Sequence, residues 1–319
     1  MPRISSRAFA SFALAAVVAV WLSSAASAEL EPPPRFVGTE VEQDEILEVI
    51  ASADSRSFKP VGHSSVVLRM RTVARVTAAL RVRSRHIQDG YQYEIAAYRI
   101  SRLLGLDNVP PAVYRRVTWK EIRQRFYEGM LDRRGAIRRA VLWDADGSAP
   151  GAAVYWVKGM RSTGLEKQAR WQSWLQDGEI PEGKAALARD LSTMVVFDFV
   201  VGNWDRFSGG NLPTDASRKR ALLRDNDRSF SIPLLERRYD KLLAGLTRTE
   251  RFSRDLVRRL ASLDQESIQA ELDRDPSHDA DPLLNRSQIA DVLDRRATAL
   301  SYVAALIEER GEDDVLFFP

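Results

Sequence analysis

FDFVVGNWDRFSGGN, residues 197–211, is an apolar run that ends abruptly in a polar loop. Together with the residues before it, the run forms a helical pattern whose last two turns are apolar all round except for Asp198, so we predict a buried helix. A loop that follows a buried helix is held rigidly, as a catalytic loop must be. Asp205 and Asn211 lie in this loop, although Asp and Asn are also common in ordinary turns.

A second acid follows at Asp225, in the stretch RALLRDNDRSFSI, residues 220–232. We predict a short strand here that runs into Asp225. Taken alone, Asp225 fits an Asx-turn, but an acid, an amide and an acid in this order are a rarer combination. Phosphoryl transfer uses such a set, in which one Asp orients the nucleophile while an Asp and an Asn bind Mg²⁺ or Mn²⁺.

Other classes of chemistry find little support in the composition. The 319 residues include no Cys, and the three His are scattered without metal-ligand spacing, so the sequence offers neither a zinc site nor an acyl-transfer set. The lack of Cys also excludes disulfides. The formal charge is +3, but basic and acidic residues are mixed along the chain, which argues against nucleic acid as a partner.

Residues 1–28 have the pattern of an export signal, with a basic start, an apolar segment and small residues before a cleavage site at Ala28. The predicted location is therefore exported, either periplasmic or secreted. The alternative is an uncleaved membrane anchor, because the apolar segment approaches the length that spans a bilayer.

Hydrophobic periodicity predicts the remaining elements. In chain order they are a short helix at 42–53, strands at 64–71 and 76–83, a helix at 91–104, helical segments within 118–140, a strand from 152, the buried helix before Asn203, and helices beyond 234, the last starting near Asn285. This order predicts an α+β arrangement with two lobes. The predicted parts are a signal peptide at 1–28, a linker with a short helix at 29–58, an N-lobe at 59–153 and a C-lobe at 154–319.

The catalytic-loop stretch and the second acid resemble segments of the secretory-pathway kinases of the Golgi casein kinase and four-jointed type, and of their bacterial relatives. These kinases carry Asn-x-Asp-Arg, then an amide-bearing loop, then an Asp-Asn pair before a Phe. YEIAAYRISRLLGLDNVPP, residues 93–111, resembles their Glu-Ile-Ala-Ala helix and Val-Pro-Pro exit. HipA-like and phosphatidylinositol-kinase-like enzymes are similar more distantly. The resemblance implies a two-lobed protein-kinase-like fold, with a small β-rich N-lobe that has one long helix and a mainly helical C-lobe.

The resemblance also implies roles for single residues, with ATP and Mg²⁺ or Mn²⁺ as cofactors. Asp205 would be the base that orients the acceptor hydroxyl. Asp225 would be the principal metal ligand, and Asn211 a second one. Glu94 would be the helix carboxylate that faces the phosphate-positioning cation. Asp198, as a buried acid, is expected to tie down the loop backbone rather than to react.

The phosphate-positioning cation departs from the family's pattern. AALRVR, residues 78–83, is similar to the family's Ala-Leu-Phe-Lys-Pro strand, so Arg81 stands in place of the Lys. An Arg keeps the charge, but its planar fork differs from an ammonium group. Lys59, in SFKPVG, is the other candidate, and the strand alignment favours Arg81. A phosphate-covering turn is predicted from Gly62, Ser64 and Ser65.

Three functions follow from these residues. The first is a metal-dependent kinase that acts on a Ser/Thr or sugar hydroxyl, with an unidentified protein or carbohydrate as acceptor. The second is a pseudokinase, a nucleotide-binding or scaffolding module without turnover. It is supported by Arg81 and by Phe207, which stands where the family has a His. The third is a nucleotidyltransferase, which a kinase-like fold permits.

Overall fold

The computed structural model describes residues 31–62, 66–277 and 280–319. The predicted export signal at 1–28 and two residues of the predicted phosphate turn, Ser64 and Ser65, lie outside the described residues. Within the described ranges, no helix combines the length and the apolar character that a membrane crossing requires.

An antiparallel sheet organises the first half of the described chain. Its elements are, in chain order, α1 (Gln43–Ser52), β1 (Ser55–Val61), β2 (Val67–Thr72), β3 (Thr77–Val82), α2 (Gly90–Leu103), β4 (Ala112–Thr118), α3 (Trp119–Gln124), α4 (Arg134–Ala140) and β5 (Ser148–Tyr155). The strand order is β1-β2-β3-β5-β4, and each neighbouring pair is antiparallel. Because β5 enters between β3 and β4, the chain leaves the sheet from its interior.

Side-chain alternation decides which face of the sheet meets the core. In β2, Leu68 and Met70 are fully buried, and in the register of the sheet they pair with Leu80 and Ala78 of β3, which are fully buried as well. Successive side chains of a strand point to opposite faces. Arg81, which follows Leu80, therefore lies on the face turned away from this strand core.

Helix α2 begins in a crowded place. A Cβ on Gly90 would lie 2.5 Å from the Ile87 side chain and 3.2 Å from the Cβ of Asp227, so a glycine lets the start of α2 approach the segment around Asp227. The other end follows the prediction, because Gly105 has a φ of +72° and so ends the helix in the left-handed region. The close approach at Gly90 brings the Glu94 helix against the C-terminal half.

The second half of the chain is mainly helical. Its helices are α5 (Ala185–Val201), α6 (Glu236–Thr247), α7 (Arg254–Ser262), α8 (Gln265–Asp273), α9 (Arg286–Arg310) and α10 (Glu312–Val315). As predicted, the end of α5 is buried, including Asp198. Gly202, at a φ of +73°, turns the chain out of α5 into the polar loop. Asn285 and Gln288 form a capping box at the start of α9, as their spacing indicates.

Two strands escaped the sequence-based prediction. β1 has the mostly polar sequence SRSFKPV, and its Pro60 argues against a strand. β4 contains the polar run Tyr114-Arg115-Arg116, which obscures its alternation. Arg115 is nevertheless buried, because its guanidinium donates to the carbonyls of Ile50 and Ala51 at the end of α1.

The prediction of a strand that runs into Asp225 was wrong. Within residues 220–232 the structure has an isolated bridge from Ala221 to Thr214 and otherwise no strand. The peptide N–H groups of Leu222 and Leu223 donate to carbonyls of separate loops, so this apolar stretch is held as an extended loop rather than as part of a ladder. The second acid therefore follows a pinned loop.

The segment before the sheet is packed. Phe36, in the predicted linker, is buried, and its ring centroid lies 5.9 Å from that of Tyr155. β1 begins at Ser55, so the predicted boundary at residue 59 falls inside a strand. The exact bounds of the two lobes remain a proposal, with the N-terminal unit reaching back to Phe36.

Candidate active site

A cleft with a volume of about 320 Å³ lies between the sheet and the helical half. Its apolar wall comes from the strands: Val61, Val67, Ala79 and Val154. The end of β5 and the chain that follows it add Tyr155, Trp156, Val157 and Met160. Its polar lining comes from both halves: Arg81, Glu94, Asn211, Arg224 and Asp225. The cleft thus joins an apolar slot to a set of charged groups.

Arg81 of β3 and Glu94 of α2 form an ion pair in this cleft. The Arg81 Nη2 lies 3.3 Å from Glu94 Oε1, and only 12% and 4% of the two side chains are exposed. Burial raises the pKa of Glu94 to about 7, and the Arg81 charge opposes this rise. Burial also acts to lower the pKa of Arg81, but the surrounding carboxylates more than offset it and raise that pKa above its ordinary value.

The same guanidinium binds two further acids, Asp225 and Asp227. Nη2 lies 2.5 Å from Asp225 Oδ1, and Nη1 lies 2.5 Å from Asp227 Oδ2. Burial acts to raise the pKa of Asp225, yet the cationic neighbours, Arg81 first, hold it below its ordinary value. Burial raises the pKa of Asp227 despite Arg81. Asp225 has a φ of +63°, a left-handed conformation that Asp tolerates better than most residues.

Lys59, the other candidate cation, does not contact this carboxylate set. Its Nζ lies 4.9 Å from the centroid of the Tyr127 ring, over the face of the ring. Gly62 lines the cleft at a φ of +80°, where a backbone turn can come close to a ligand. The structure thus brings Arg81, rather than Lys59, to Glu94.

A buried arginine holds the loop that carries Asp205. Arg206 is 1% exposed and makes a two-pronged ion pair with Asp198 of α5, with N–O distances of 2.9 and 2.8 Å. It also donates to the side chain of Asn226 at 2.6 Å and to the backbone carbonyls of Asn211 and Arg224. Asp198 therefore ties the loop down through Arg206, and the same guanidinium joins the loop to the Asp225 segment.

The geometry around Asp205 is set by its own loop. The hydroxyl of Ser208 donates to the Asp205 carboxylate at 2.7 Å, and the Asp205 N–H donates to the side chain of Asn203 at 3.2 Å. The side-chain amide of Asn211 donates to the Asp205 carbonyl at 3.2 Å. Asp205 is partly exposed and its charge reaches Asp227, since it adds to the rise of that residue's pKa.

Phe207 has a packing role. Its ring stacks on that of Trp171, with 6.3 Å between centroids and 29° between planes. Both residues line a second cavity of about 280 Å³ behind the loop, together with Trp204 and residues of α5 and α6. A histidine at this position would put a polar ring against Trp171, so the apolar surroundings favour Phe207.

Two contributors to this site were missed in the sequence. Asp227 was not among the predicted site residues, because its contact with Arg81 depends on the turn that follows the left-handed Asp225. Arg206 was seen only as part of the family's Asn-x-Asp-Arg pattern. The available signal was the pairing of a buried Asp198 with a nearby arginine, because a buried carboxylate needs a partner.

Comparison with solved structures identifies the fold. The crystal structure of the Golgi casein kinase with Mn/ADP bound matches with a TM-score of 0.67 and 16% sequence identity, over 86% of this chain and 78% of that chain. This chain has the Golgi casein kinase fold. A second structure of that kinase matches with a TM-score of 0.63 at 16% identity, over 86% of this chain and 79% of that chain. The structure of hydra Fam20 with sugar matches with a TM-score of 0.65 at 17% identity, over 89% of this chain and 95% of that chain.

The sequence itself matches no protein-family model and no curated protein. The expected two-lobed kinase-like fold is nevertheless confirmed, as is the predicted resemblance to secretory-pathway kinases at the level of the fold. The bacterial and HipA-like relationships remain predictions.

The Golgi casein kinase fold implies a divalent metal, and the residues here fit one. Mg²⁺ and Mn²⁺ prefer oxygen ligands. Asp225 offers a carboxylate, and Asn211, whose amide nitrogen is used on the Asp205 carbonyl, offers its side-chain oxygen. Across residues 31–62, 66–277 and 280–319, no three acidic, His or Cys side chains could hold a metal by themselves. A divalent ion there would draw its other ligands from phosphate and water.

On the side away from the cleft, helix α2 is joined to the C-terminal half by buried ion pairs. Arg99 lies 3.4 Å from Glu271 of α8 and 3.5 Å from Asp275, and Arg102 lies 3.6 Å from Glu271. All these side chains are at most 6% exposed. The network joins the Glu94 helix to the C-terminal half and so helps to fix the position of Glu94 relative to it.

We expect Glu271→Gln to weaken this connection. The change leaves Arg99 and Arg102 short of one buried negative charge, and lost hydrogen bonds to charged groups cost about 1–3 kcal/mol of the free energy of unfolding. Hydrogen exchange should rise over residues 90–103, and the denaturant midpoint should fall. Glu266→Gln, at an exposed position of the same helix, is the control. Equal behaviour of the two variants would contradict the positioning role of Glu271.

Proposed function

We propose that this chain is an exported, metal-dependent kinase-type phosphotransferase, which moves the terminal phosphoryl group of ATP to a hydroxyl of a protein Ser/Thr or of a sugar. The observation that carries the proposal is the contact of Glu94 with Arg81 and of Arg81 with Asp225, within a cleft that also has an apolar wall. Phosphoryl transfer depends on positioning and charge stabilisation, and this set supplies both.

The cleft has the two surfaces that a nucleotide needs. Its apolar slot, between the sheet and the segment from Tyr155 to Val157, suits a flat base. Arg81 lies at the charged part of the cleft, where it would bind the phosphates, and Glu94 holds it there. Asp225 and Asn211 would hold the metal ion, which when bound neutralises charge on the phosphates.

Asp205 would orient and deprotonate the acceptor hydroxyl. Its loop is anchored by the buried Arg206–Asp198 pair, and the Ser208 hydroxyl donates to the Asp205 carboxylate, so both the backbone and the side chain of Asp205 are held. A base must stand within hydrogen-bond reach of the proton it accepts, and rigid anchoring keeps it there.

The nature of the acceptor is left as two classes. One structural neighbour is a casein kinase and another is a Fam20 protein with sugar, which supports a protein or a carbohydrate acceptor equally. We propose export after cleavage near Ala28, with anchoring of the uncleaved segment as the alternative. Nucleic acid is not a proposed partner.

The alternative function is a nucleotide-binding or scaffolding pseudokinase of the same fold. The observation that favours it is the engagement of Arg81 with Asp225 and Asp227, since these contacts occupy a carboxylate that the metal requires. A nucleotidyltransferase is less favoured, because it rests on the versatility of the fold alone.

We expect ADP with Mn²⁺ to raise the thermal unfolding midpoint of the wild-type protein. A ligand at about 100 times its Kd adds about 2.7 kcal/mol to the free energy of unfolding. Asp225→Asn should lose most of this stabilisation, because it removes the charge of the principal metal ligand. Asp264→Asn is the matched control, since Asp264 caps α8 far from the cleft and Asn caps a helix equally well.

Absence of any stabilisation by nucleotide and metal in the wild type would contradict the kinase, the nucleotide-binding pseudokinase and the nucleotidyltransferase, and would leave a scaffolding role. If nucleotide binds, transfer of label from γ-labelled ATP separates the kinase from the pseudokinase. Transfer of label from α-labelled ATP, together with the nucleoside, would identify a nucleotidyltransferase.

A further inference from the structure

Arg81 is enclosed by more negative charge than it can neutralise. Three carboxylates lie within 3.3 Å of its terminal nitrogens, those of Glu94, Asp225 and Asp227. The guanidinium carries one positive charge, and the site is mostly out of water. The excess negative charge makes this part of the cleft attractive to a second cation. Arg81, however, already donates hydrogen bonds to carboxylate oxygens of Asp225 and Asp227.

We propose that Arg81 is a built-in competitor of the divalent metal: it holds Asp225 and Asp227 until the phosphates of a nucleotide draw the guanidinium away, so that metal binds together with nucleotide and not before it. This inference rests on the proposed function for the identity of the nucleotide. The exclusion of free metal depends on the side chains of this site alone.

The shape of the arginine side chain makes the competition effective. Its two terminal nitrogens bond to different acids, Nη1 to Asp227 and Nη2 to Asp225. A lysine has one nitrogen and so cannot span both acids with separate arms. A divalent ion at the Asp225 carboxylate would lie close to the guanidinium that bonds one of its oxygens, and the repulsion between the two cations sets them in competition for this acid. Arginine at this position therefore adds a barrier to metal that a lysine does not.

Nucleotide phosphates can draw Arg81 away from Asp225 and Asp227. They offer the guanidinium a bidentate anionic partner of the kind that arginine prefers. When the guanidinium turns to them, Asp225 and Asp227 lose their counter-charge, and the Asp225 carboxylate becomes available, together with Asn211, as a ligand for a divalent ion. Metal and nucleotide then strengthen each other's binding by the same factor, as linkage requires.

The test measures Mn²⁺ binding without nucleotide, by isothermal titration and by thermal unfolding. We expect the wild type to bind free Mn²⁺ weakly. Arg81→Gln should bind it tighter by about tenfold or more, within the usual range of such coupling. Without metal this variant should also unfold at a lower temperature, because the buried Glu94 and Asp227 and the partly buried Asp225 lose their cation, and Mn²⁺ should restore the midpoint. A variant that folds only when Mn²⁺ is present supports the proposal in the same way.

Two further variants keep the test decisive. Arg81→Lys retains the charge with one nitrogen, and its affinity for free Mn²⁺ should fall between those of wild type and Arg81→Gln. Arg83→Gln is the control, because Arg83 pairs with Asp144 outside this carboxylate set. The Arg83→Gln protein should therefore bind Mn²⁺ like the wild type. Adding ADP should tighten Mn²⁺ binding by the wild type more than by Arg81→Gln.

The proposal is overturned if the wild type binds free Mn²⁺ as tightly as Arg81→Gln and Arg81→Lys do. It is also overturned if Arg83→Gln gains the same affinity, since the effect would then be one of general charge. Failure of phosphoryl transfer would contradict the kinase proposal but would not affect the comparison of Mn²⁺ affinities. The two proposals therefore fail separately.

Discussion

Asp205→Asn lowers the rate of phosphoryl transfer by about 10²–10⁴-fold and leaves nucleotide affinity unchanged, if Asp205 is the base. The asparagine keeps the shape of the side chain and can still accept a hydrogen bond from Ser208, but it cannot take a proton. Initial rates with γ-labelled ATP, with dephosphorylated casein and a free glycan as acceptors and ATP hydrolysis alongside, would measure the loss.

Two controls keep this result interpretable. Unchanged stabilisation by ADP and Mn²⁺ would show that the cleft is intact in Asp205→Asn. Ser208→Ala removes a hydrogen bond to the Asp205 carboxylate without changing the base itself, so a modest loss of rate is expected. Activity of Asp205→Asn within a few-fold of wild type would exclude Asp205 as the base.

The second large effect concerns stability. Arg206→Met should lower the free energy of unfolding by about 3–5 kcal/mol, because it leaves the buried Asp198 without its cation. Burial raises the pKa of Asp198 and Arg206 opposes that rise, so the lone carboxylate would be driven toward its neutral form. The substitution also leaves carbonyls of the loop and of Arg224 without a donor. Equilibrium unfolding in urea would measure the change.

Arg254→Met makes the same substitution at the surface and serves as the control. Arg254 pairs with Glu312 and Asp313, which are half or more exposed, and surface ion pairs are worth about 0–1 kcal/mol. A similar loss of stability in both variants would mean that the change in side chain, rather than the buried ion pair, causes the effect. A small loss in Arg206→Met would contradict the anchoring of the Asp205 loop.

Local sequence signals predicted the helices well. The local signals were the apolar face of residues 91–104, Gly105 after α2, and the capping pair Asn285 and Gln288, and each acts through neighbouring residues. The strands were harder to predict, because local residue patterns do not show which segments pair. β1 was missed because of Pro60 and β4 because of its polar run, and the apolar run before Asp225 was taken for a strand although its amides bond to loops.

The candidate site divides in the same way. The order of Asp205, Asn211 and Asp225 and the position of Glu94 could be recognised in the sequence, since motifs keep residue type and spacing. The strand alignment favoured Arg81, which does contact Glu94, but the sequence could not exclude Lys59. The role of Asp227 could not be foreseen, because Arg81 and Asp227 are 146 residues apart and meet only through packing.

The sequence by itself determined the helices, the polar loop after α5 and the choice of Glu94, Asp205 and Asp225 as candidate site residues, because these depend on short-range periodicity and spacing. Only the tertiary structure decided that one guanidinium serves three carboxylates and that Arg206 joins the Asp205 loop to the Asp225 segment. The physical reason is that a buried charge is satisfied by whichever opposite charges the fold brings within about 4 Å, however far away they lie along the chain.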